Sequence, residues 1–188
     1  MKWYFVRHGE IQANVKKIYA GWSEEGLTRK GRQEAAEAAK IVSSFNIDSI
    51  YTSPLRRAVQ TAEIIGGILS KQPVLEESFK EMRLGPWEGK SEKEIQRDFP
   101  DKWKIWDTRP ADLVLEGRET LHELLERVLA GIKKVKEKEV DGSVLVITHV
   151  AIIRVLLLHV RKMDLNLYRT IPVPGNGKIF KLADKLLS

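Results

Sequence analysis

The stretch Tyr4-Phe5-Val6-Arg7-His8-Gly9-Glu10-Ile11-Gln12-Ala13-Asn14 decides how this chain is read. Trp3 to Val6 is aromatic and β-branched, a composition that suits a strand buried in a sheet. Arg7, His8 and Gly9 then fall at the carboxyl end of that strand, where open α/β sheets place their ligand crevice. Arg7 is a permanent planar cation that can fork two hydrogen bonds onto phosphate oxygens. His8 offers an imidazole that can be neutral near pH 7 and therefore nucleophilic. Gly9 omits a Cβ where backbone would approach a bound group. An Arg-His pair after one strand is, taken alone, more often structural.

Two further strand exits change that reading. Val144-Leu145-Val146-Ile147 is a second buried run and ends in Thr148-His149. If the two strands lie parallel in one sheet, two of the chain's four histidines emerge at one edge. Ser49-Ile50-Tyr51-Thr52 runs into Ser53-Pro54-Leu55-Arg56-Arg57. With Ser53 as N-cap and Pro54 in the first helical position, Arg56 sits in the first turn of a helix, where free amides already favour anions. Arg57 reads as its solvated neighbour.

The remaining periodicity predicts strands over 2–6, 49–52, 73–75 and 143–147. Helices are expected over 29–45 behind a Thr28 cap, 54–69, 91–99, 119–138 and 150–160. Ile179 to Leu182 reads as an edge strand. Residues 76 to 117 read as a loop with the one helix near 91–99, covering the pocket. Together these predict a single α/β domain over residues 1–188. Its expected form is a three-layer α/β/α sandwich with a mostly parallel central sheet, an antiparallel edge strand and a cap over the crevice. Trp87, Trp103 and Trp106 either line an apolar wall of the pocket or pack the cap onto the domain.

Composition sets bounds. A chain of 188 residues, 43% hydrophobic, is long enough for one substantial core. No apolar run of membrane-spanning length and no signal segment is visible, so no membrane partner and a cytoplasmic setting are expected. The absence of cysteine excludes disulfides and thiolate metal sites. A formal charge of +6 suits anionic substrates. The Lys/Arg surplus is dispersed or paired with glutamate, as over Lys133 to Glu139, which argues against a nucleic-acid stripe.

The pattern as a whole resembles the histidine phosphatase superfamily, in the branch that includes cofactor-dependent phosphoglycerate mutases and small-molecule phosphatases. The matching blocks, in order, are Arg7-His8-Gly9-Glu10 with Asn14, Gly21-Trp22, Leu27-Thr28 with Gly31, Ser53-Pro54-Leu55-Arg56-Arg57-Ala58 with Gln60-Thr61-Ala62, Glu81 with Gly85 and Trp87-Glu88-Gly89, and Thr148-His149. The resemblance implies that His8 accepts the phosphoryl group, that Arg7, Arg56 and His149 hold it, and that Glu81 is the proton donor. It further implies substrate contacts at Asn14 and Gly21, a small-molecule phosphate ester as substrate, no metal and no cofactor. A homodimer is one possible assembly.

The departures from the family pattern matter as well. Ile11 stands where a threonine or serine is usual. Val150 follows the second histidine where the other branch has its acidic residue, so the acid comes from elsewhere, and Glu81 is preferred over Glu10 and Glu88. Gly117-Arg118-Glu119-Thr120 brings an extra cation, Arg118, which either lines the pocket or opens the following helix. Ala20 before Gly21-Trp22, and the run Glu81 to Gly89, are similar to the phosphatase form; no basic insertion with paired arginines follows Pro110. Hydrolysis is therefore the expected reaction. A mutase and a catalytically silent phospho-ligand module are the alternatives, with a nucleic-acid binder a weaker one. The run around Asn14, Tyr19 and Gly21-Trp22 also resembles phosphatases acting on α-ribazole phosphate.

Overall fold

Alternation along the first strand sets out the layers. Trp3 and Phe5 join one buried cluster while Tyr4 and Val6 join another, so the strand is covered on both faces. The structure, a computed structural model, describes residues 1–188 except 140, 173, 174, 185, 186 and 188. In chain order the main elements are β1 (Lys2–Arg7), α1 (Gln12–Lys16), α2 (Arg29–Val42), β2 (Ser49–Thr52), α3 (Arg56–Leu69), β3 (Pro73–Leu75), α4 (Glu92–Asp98), α5 (Pro100–Thr108), α6 (Leu121–Lys138), β4 (Ser143–Thr148), α7 (Val150–Val160) and β5 (Ile179–Ala183). The five strands form one sheet in the order β3-β2-β4-β1-β5. All neighbours run parallel except β5, which pairs antiparallel with β1 at the edge.

Helices cover both faces. Ala38, Ala39 and Val42 of α2 and Ala58, Ala62 and Ile65 of α3 pack with Tyr4, Val6, Leu145 and Ile147 on one side. Val128, Ile132 and Val135 of α6 and Ile152, Val155 and Leu156 of α7 pack with Trp3, Phe5 and Val146 on the other. This is the α/β/α sandwich with a mostly parallel sheet and an antiparallel edge strand expected from the sequence.

Local signals fixed several boundaries. Thr28 caps α2 by accepting from the Gly31 amide, and Thr120 and Glu123 form a reciprocal capping box at the start of α6. Two expectations fail. The helix predicted from Pro54 begins at Arg56, because the Ser53 hydroxyl is engaged elsewhere and Pro54-Leu55 form a bend. The stretch after Phe99, read as loop, is a second cap helix, α5, with Pro100 at its first position; proline there ends α4 and starts its successor.

Candidate active site

Strand register brings the two histidines together. Arg7 pairs with Thr148 across the parallel β1–β4 ladder, so His8 and His149 leave the sheet side by side. Their ring centroids lie 5.1 Å apart. The ladder continues one step further, with the His8 amide donating to the Thr148 carbonyl at 3.0 Å and the Ser53 amide to the Ile147 carbonyl at 3.0 Å. Three strand exits thus converge at one edge.

The hydrogen bonds define the state of His8. Its Nδ1 lies 2.8 Å from the Gly9 carbonyl, which can only accept, so Nδ1 carries the proton. Nε2 therefore presents its lone pair, and it accepts from Arg57 Nε at 3.3 Å. Burial, then the Arg57 and Arg7 charges, hold the His8 pKa well below the ordinary histidine value. His149 is lowered for the same reason, first by burial and then by Arg57, His8 and Arg7. Ser53 Oγ lies 2.7 Å from His149 Nε2 and accepts from the Leu55 amide at 3.3 Å. The other ring nitrogen of His149, Nδ1, is buried with no partner among the described residues.

Arg57, not Arg56, is the arginine that α3 contributes. Arg57 is 1% exposed and lines the cleft, whereas Arg56 is exposed and does not. Beyond His8, Arg57 donates to the carbonyls of Ser23 at 2.9 Å and Gly21 at 2.6 Å. The physical reason is helical phase. The buried stripe of α3 comprises Arg57, Ala58, Thr61, Ala62, Ile65 and Gly66, and Arg56 falls off it. Thr61, one turn on from Arg57, accepts from the Gly9 amide at 3.1 Å and so ties this helix to the His8 loop.

The two glycines have roles other than close approach to ligand. A Cβ on Gly9 would collide with the Gly31 carbonyl, so Gly9 lets the His8 loop lie directly on the start of α2. Gly21 has φ of +49°, and a Cβ there would strike the Glu88 carboxylate. Its carbonyl holds Arg57, while the residue itself lines the cleft. Asn14 also lines the cleft; its Oδ1 accepts from the Ile11 amide and from Asn176 Nδ2, both at 3.1 Å, which leaves its own amide hydrogens as donors. Asn176 donates to the His8 carbonyl as well, at 2.9 Å, a contact no motif announced.

Glu81 arrives from the opposite side. It is buried, and its Oε1 accepts from the Met82 amide at 2.9 Å. Burial pushes its pKa above the ordinary carboxylate value, against the lowering pull of the Met82 amide, Arg57 and Arg7. Its backbone is pinned from outside the cleft. Arg127 of α6 donates to the carbonyls of Ser78 and Lys80, both at 2.9 Å, and forks onto Glu119 with two 2.7 Å bonds. Trp22 Nε1 donates to the Glu81 carbonyl at 2.6 Å. Glu10 instead accepts from Thr28 and Lys30, both at 2.9 Å, and does not line the cleft.

The cleft encloses about 770 Å³. Arg7, His8, Arg57 and Glu81 form its inner end; Tyr19, Leu84, Trp106 and Tyr168 are among its walls; Lys16, Lys17 and Lys93 stand at its rim. Among the cap tryptophans, Trp106 lines the cleft, whereas Trp87 is fully buried against Trp106 and Trp103. Arg118 neither lines the cleft nor belongs to α6. It is buried over the rings of Trp106 (4.4 Å) and Trp87 (5.2 Å), where desolvation lowers its pKa to about 10. Among the described residues no cluster of three or more His, Cys, Asp or Glu side chains is placed to hold a metal ion, and no helix is long and apolar enough to cross a membrane.

Relatives match over most of the chain. The uncharacterized phosphatase PhoE of Bacillus subtilis is 34% identical over 165 residues, covering 88% of this chain and 80% of that protein. A 2,3-bisphosphoglycerate-dependent phosphoglycerate mutase of Cytophaga hutchinsonii is 31% identical, covering 85% and 76%. The solved structure of YhfR from Bacillus stearothermophilus superposes with a TM-score of 0.89 at 28% identity, over 96% of this chain and 89% of that one. Residues 3–183 match the family described as the histidine phosphatase superfamily, branch 1, and the chain belongs to that family.

Proposed function

We propose that this chain, a phosphoric monoester hydrolase of the histidine phosphatase superfamily, hydrolyses small-molecule phosphate monoesters through a phosphohistidine on His8, without a metal ion. The observation that carries the proposal is the state of His8: Nδ1 is locked as a donor to Gly9, so Nε2 keeps its lone pair at the inner end of the cleft beside Arg57. Phosphoryl transfer asks mainly for an in-line nucleophile and for charge placed on the equatorial oxygens. Arg7 and Arg57 line the cleft beside His8 and supply that charge, with the His149 ring 5.1 Å from the His8 ring.

The steps follow from these groups. A bound phosphoryl group takes the Arg57 donor and frees Nε2 of His8 to attack phosphorus. The ester P–O bond breaks, and the leaving oxygen takes the proton of Glu81, whose raised pKa keeps that proton available. The positive charge that develops on the His8 ring is stabilised by the Nδ1–H bond to the Gly9 carbonyl. Water then loses a proton to the Glu81 carboxylate and attacks phosphorus. The P–N bond breaks, and inorganic phosphate leaves. The mutase reading has the Cytophaga relative in its favour; hydrolysis is favoured here by a cleft whose rim residues Lys16, Lys17, Lys93 and Gln96 are exposed, so that water reaches the phosphohistidine.

Phosphate release from p-nitrophenyl phosphate and 3-phosphoglycerate in excess EDTA, by wild type and His8→Ala, tests the proposal. Release that persists in EDTA and is lost in His8→Ala, with a radiolabelled, acid-labile phosphoryl group trapped only on the wild type, is expected. Isomerised phosphoglycerate without free phosphate would establish the mutase, and release undiminished by His8→Ala would overturn the phosphohistidine.

A further inference from the structure

The arginines of the cleft differ in what engages them. Arg57 is held by His8 and two carbonyls. Arg169, on the wall, pairs with Asp107 at 3.1 Å and lies over Trp103 at 4.8 Å. Arg154 has no acidic partner among the described residues and is engaged by Tyr168 instead. It lines the cleft one turn along α7 from Val150 and Ala151, which also line it. Its Nε is buried without an acceptor, and no salt bridge engages it among the described residues. What fixes it is an aromatic ring: the guanidinium sits 5.1 Å from the centroid of Tyr168, itself 3% exposed and packed 5.3 Å from Trp106.

Charge counting shows what is missing. A phosphate monoester dianion brings two negative charges, which Arg7 and Arg57 meet at the inner end. Glu81 is neutral while it carries the proton it donates. Arg154 then remains as one positive charge in a partly desolvated wall, close enough to Arg7 for the two to repel. A partly buried cation with an unsatisfied donor is costly unless an anion meets it. An anionic group of the ligand would meet it there, and a guanidinium fork matches the two oxygens of a carboxylate.

We propose that Arg154 is a specificity-determining residue that receives a carboxylate of the substrate, so that the preferred esters are phosphorylated hydroxy acids or amino acids. The inference rests on the phosphomonoesterase reading of the same cleft and adds a chemical class to it. Two ligand pairs isolate the carboxylate: 3-phosphoglycerate against glycerol 3-phosphate, and O-phosphoserine against O-phosphoethanolamine. Binding is measured by calorimetry in the His8→Ala background, where turnover does not consume the ligand. The carboxylated member of each pair is expected to bind roughly 10- to 100-fold tighter, as for a charge-assisted bidentate contact. Arg154→Met should erase that ratio, and Arg154→Lys, which keeps charge and bulk, should retain part of it. No preference with Arg154 intact, or equal weakening of both members by Arg154→Met, overturns the inference; the latter would assign Arg154 to the phosphoryl group. The phosphatase reading fails on a different result, the absence of phosphate release from p-nitrophenyl phosphate by the protein with His8 intact.

Discussion

The inner end of the cleft and its outer wall are built by different means. At the inner end, Arg7, His8, Ser53 and His149 leave adjacent parallel strands whose register is set by ladder hydrogen bonds. Their positions are fixed by backbone. At the wall, Glu81, Leu84 and Trp106 come from residues 76–117, a segment largely outside the sheet that is joined to the rest by isolated backbone bonds, such as Tyr19–Lys90 and Glu119–Arg83, and by side-chain clamps. Arg127 pins the loop before Glu81, and Arg118 lies over the rings of Trp87 and Trp106. Backbone register suits a reaction centre, where small displacements cost rate. Side-chain clamps suit a wall that decides which ester fits.

The sharpest way to break this comparison is at the junction of the two neighbouring arginines. Arg57→Ala should lower kcat/KM on p-nitrophenyl phosphate roughly 100- to 1,000-fold, as for loss of a preorganised donor at developing charge. Arg56→Ala, on the exposed face of the same helix, should stay within about twofold. Equal effects from both would mean that the inner end is less rigid than its hydrogen bonds indicate.

The same pair shows how far the sequence could be read. The histidines were legible because two buried β-branched runs each end in one, and parallel pairing then leaves no freedom in where they meet. The choice of Arg56 came from placing the helix start at Pro54 with Ser53 as cap. Helical spacing held the correction: Ala58, Ala62 and Ile65 define a buried stripe that takes in Arg57 and excludes Arg56. Ser53 misled because its hydroxyl serves His149 and the Leu55 amide. Helix α5 was hidden by Pro100, which ends one helix and starts the next. Arg127 and Asn176 carry no local signal for the site, since the carbonyls they hold around Glu81 and at His8 lie 46 or more residues away, and Arg154 is placed in the cleft only by the docking of α7.

Glu81, the proposed acid, gives the next largest effect. Glu81→Gln should slow hydrolysis of an alkyl ester such as 3-phosphoglycerate about 100-fold or more, and of an aryl ester, whose leaving group needs no proton, far less. Single-turnover release of each alcohol is the measurement, because it isolates the first transfer. Equal slowing of both esters would deprive Glu81 of the acid's role. Arg127→Met should act in the same direction but more weakly, about tenfold on the alkyl ester, because it loosens the 78–81 loop without removing the carboxyl group. Its effect should vanish in the Glu81→Gln background. Additive losses would show that Arg127 does more than hold that loop.

The smallest expected effect is on stability, and it tests whether the inner end is as dry as its geometry requires. His8 and His149 are both held well below the ordinary histidine pKa, chiefly by burial and by the surrounding arginines. In the unfolded chain they return to about 6.5. Between that value and their lowered folded values, the unfolded state binds more protons than the folded one. The stability they contribute is therefore present above about pH 6.5 and drains away as pH falls through the window below it. Each histidine accounts for at most about 1.4 kcal/mol per pH unit in that window. Urea unfolding at pH 7 and pH 5.5 should show the wild type losing stability on acidification, and a His8→Asn/His149→Asn variant losing less of it. If the two proteins acidify alike, the imidazoles already have access to water or a counter-ion in the folded state. The neutral, desolvated His8 that the proposed nucleophilic attack requires would then not exist in the free enzyme.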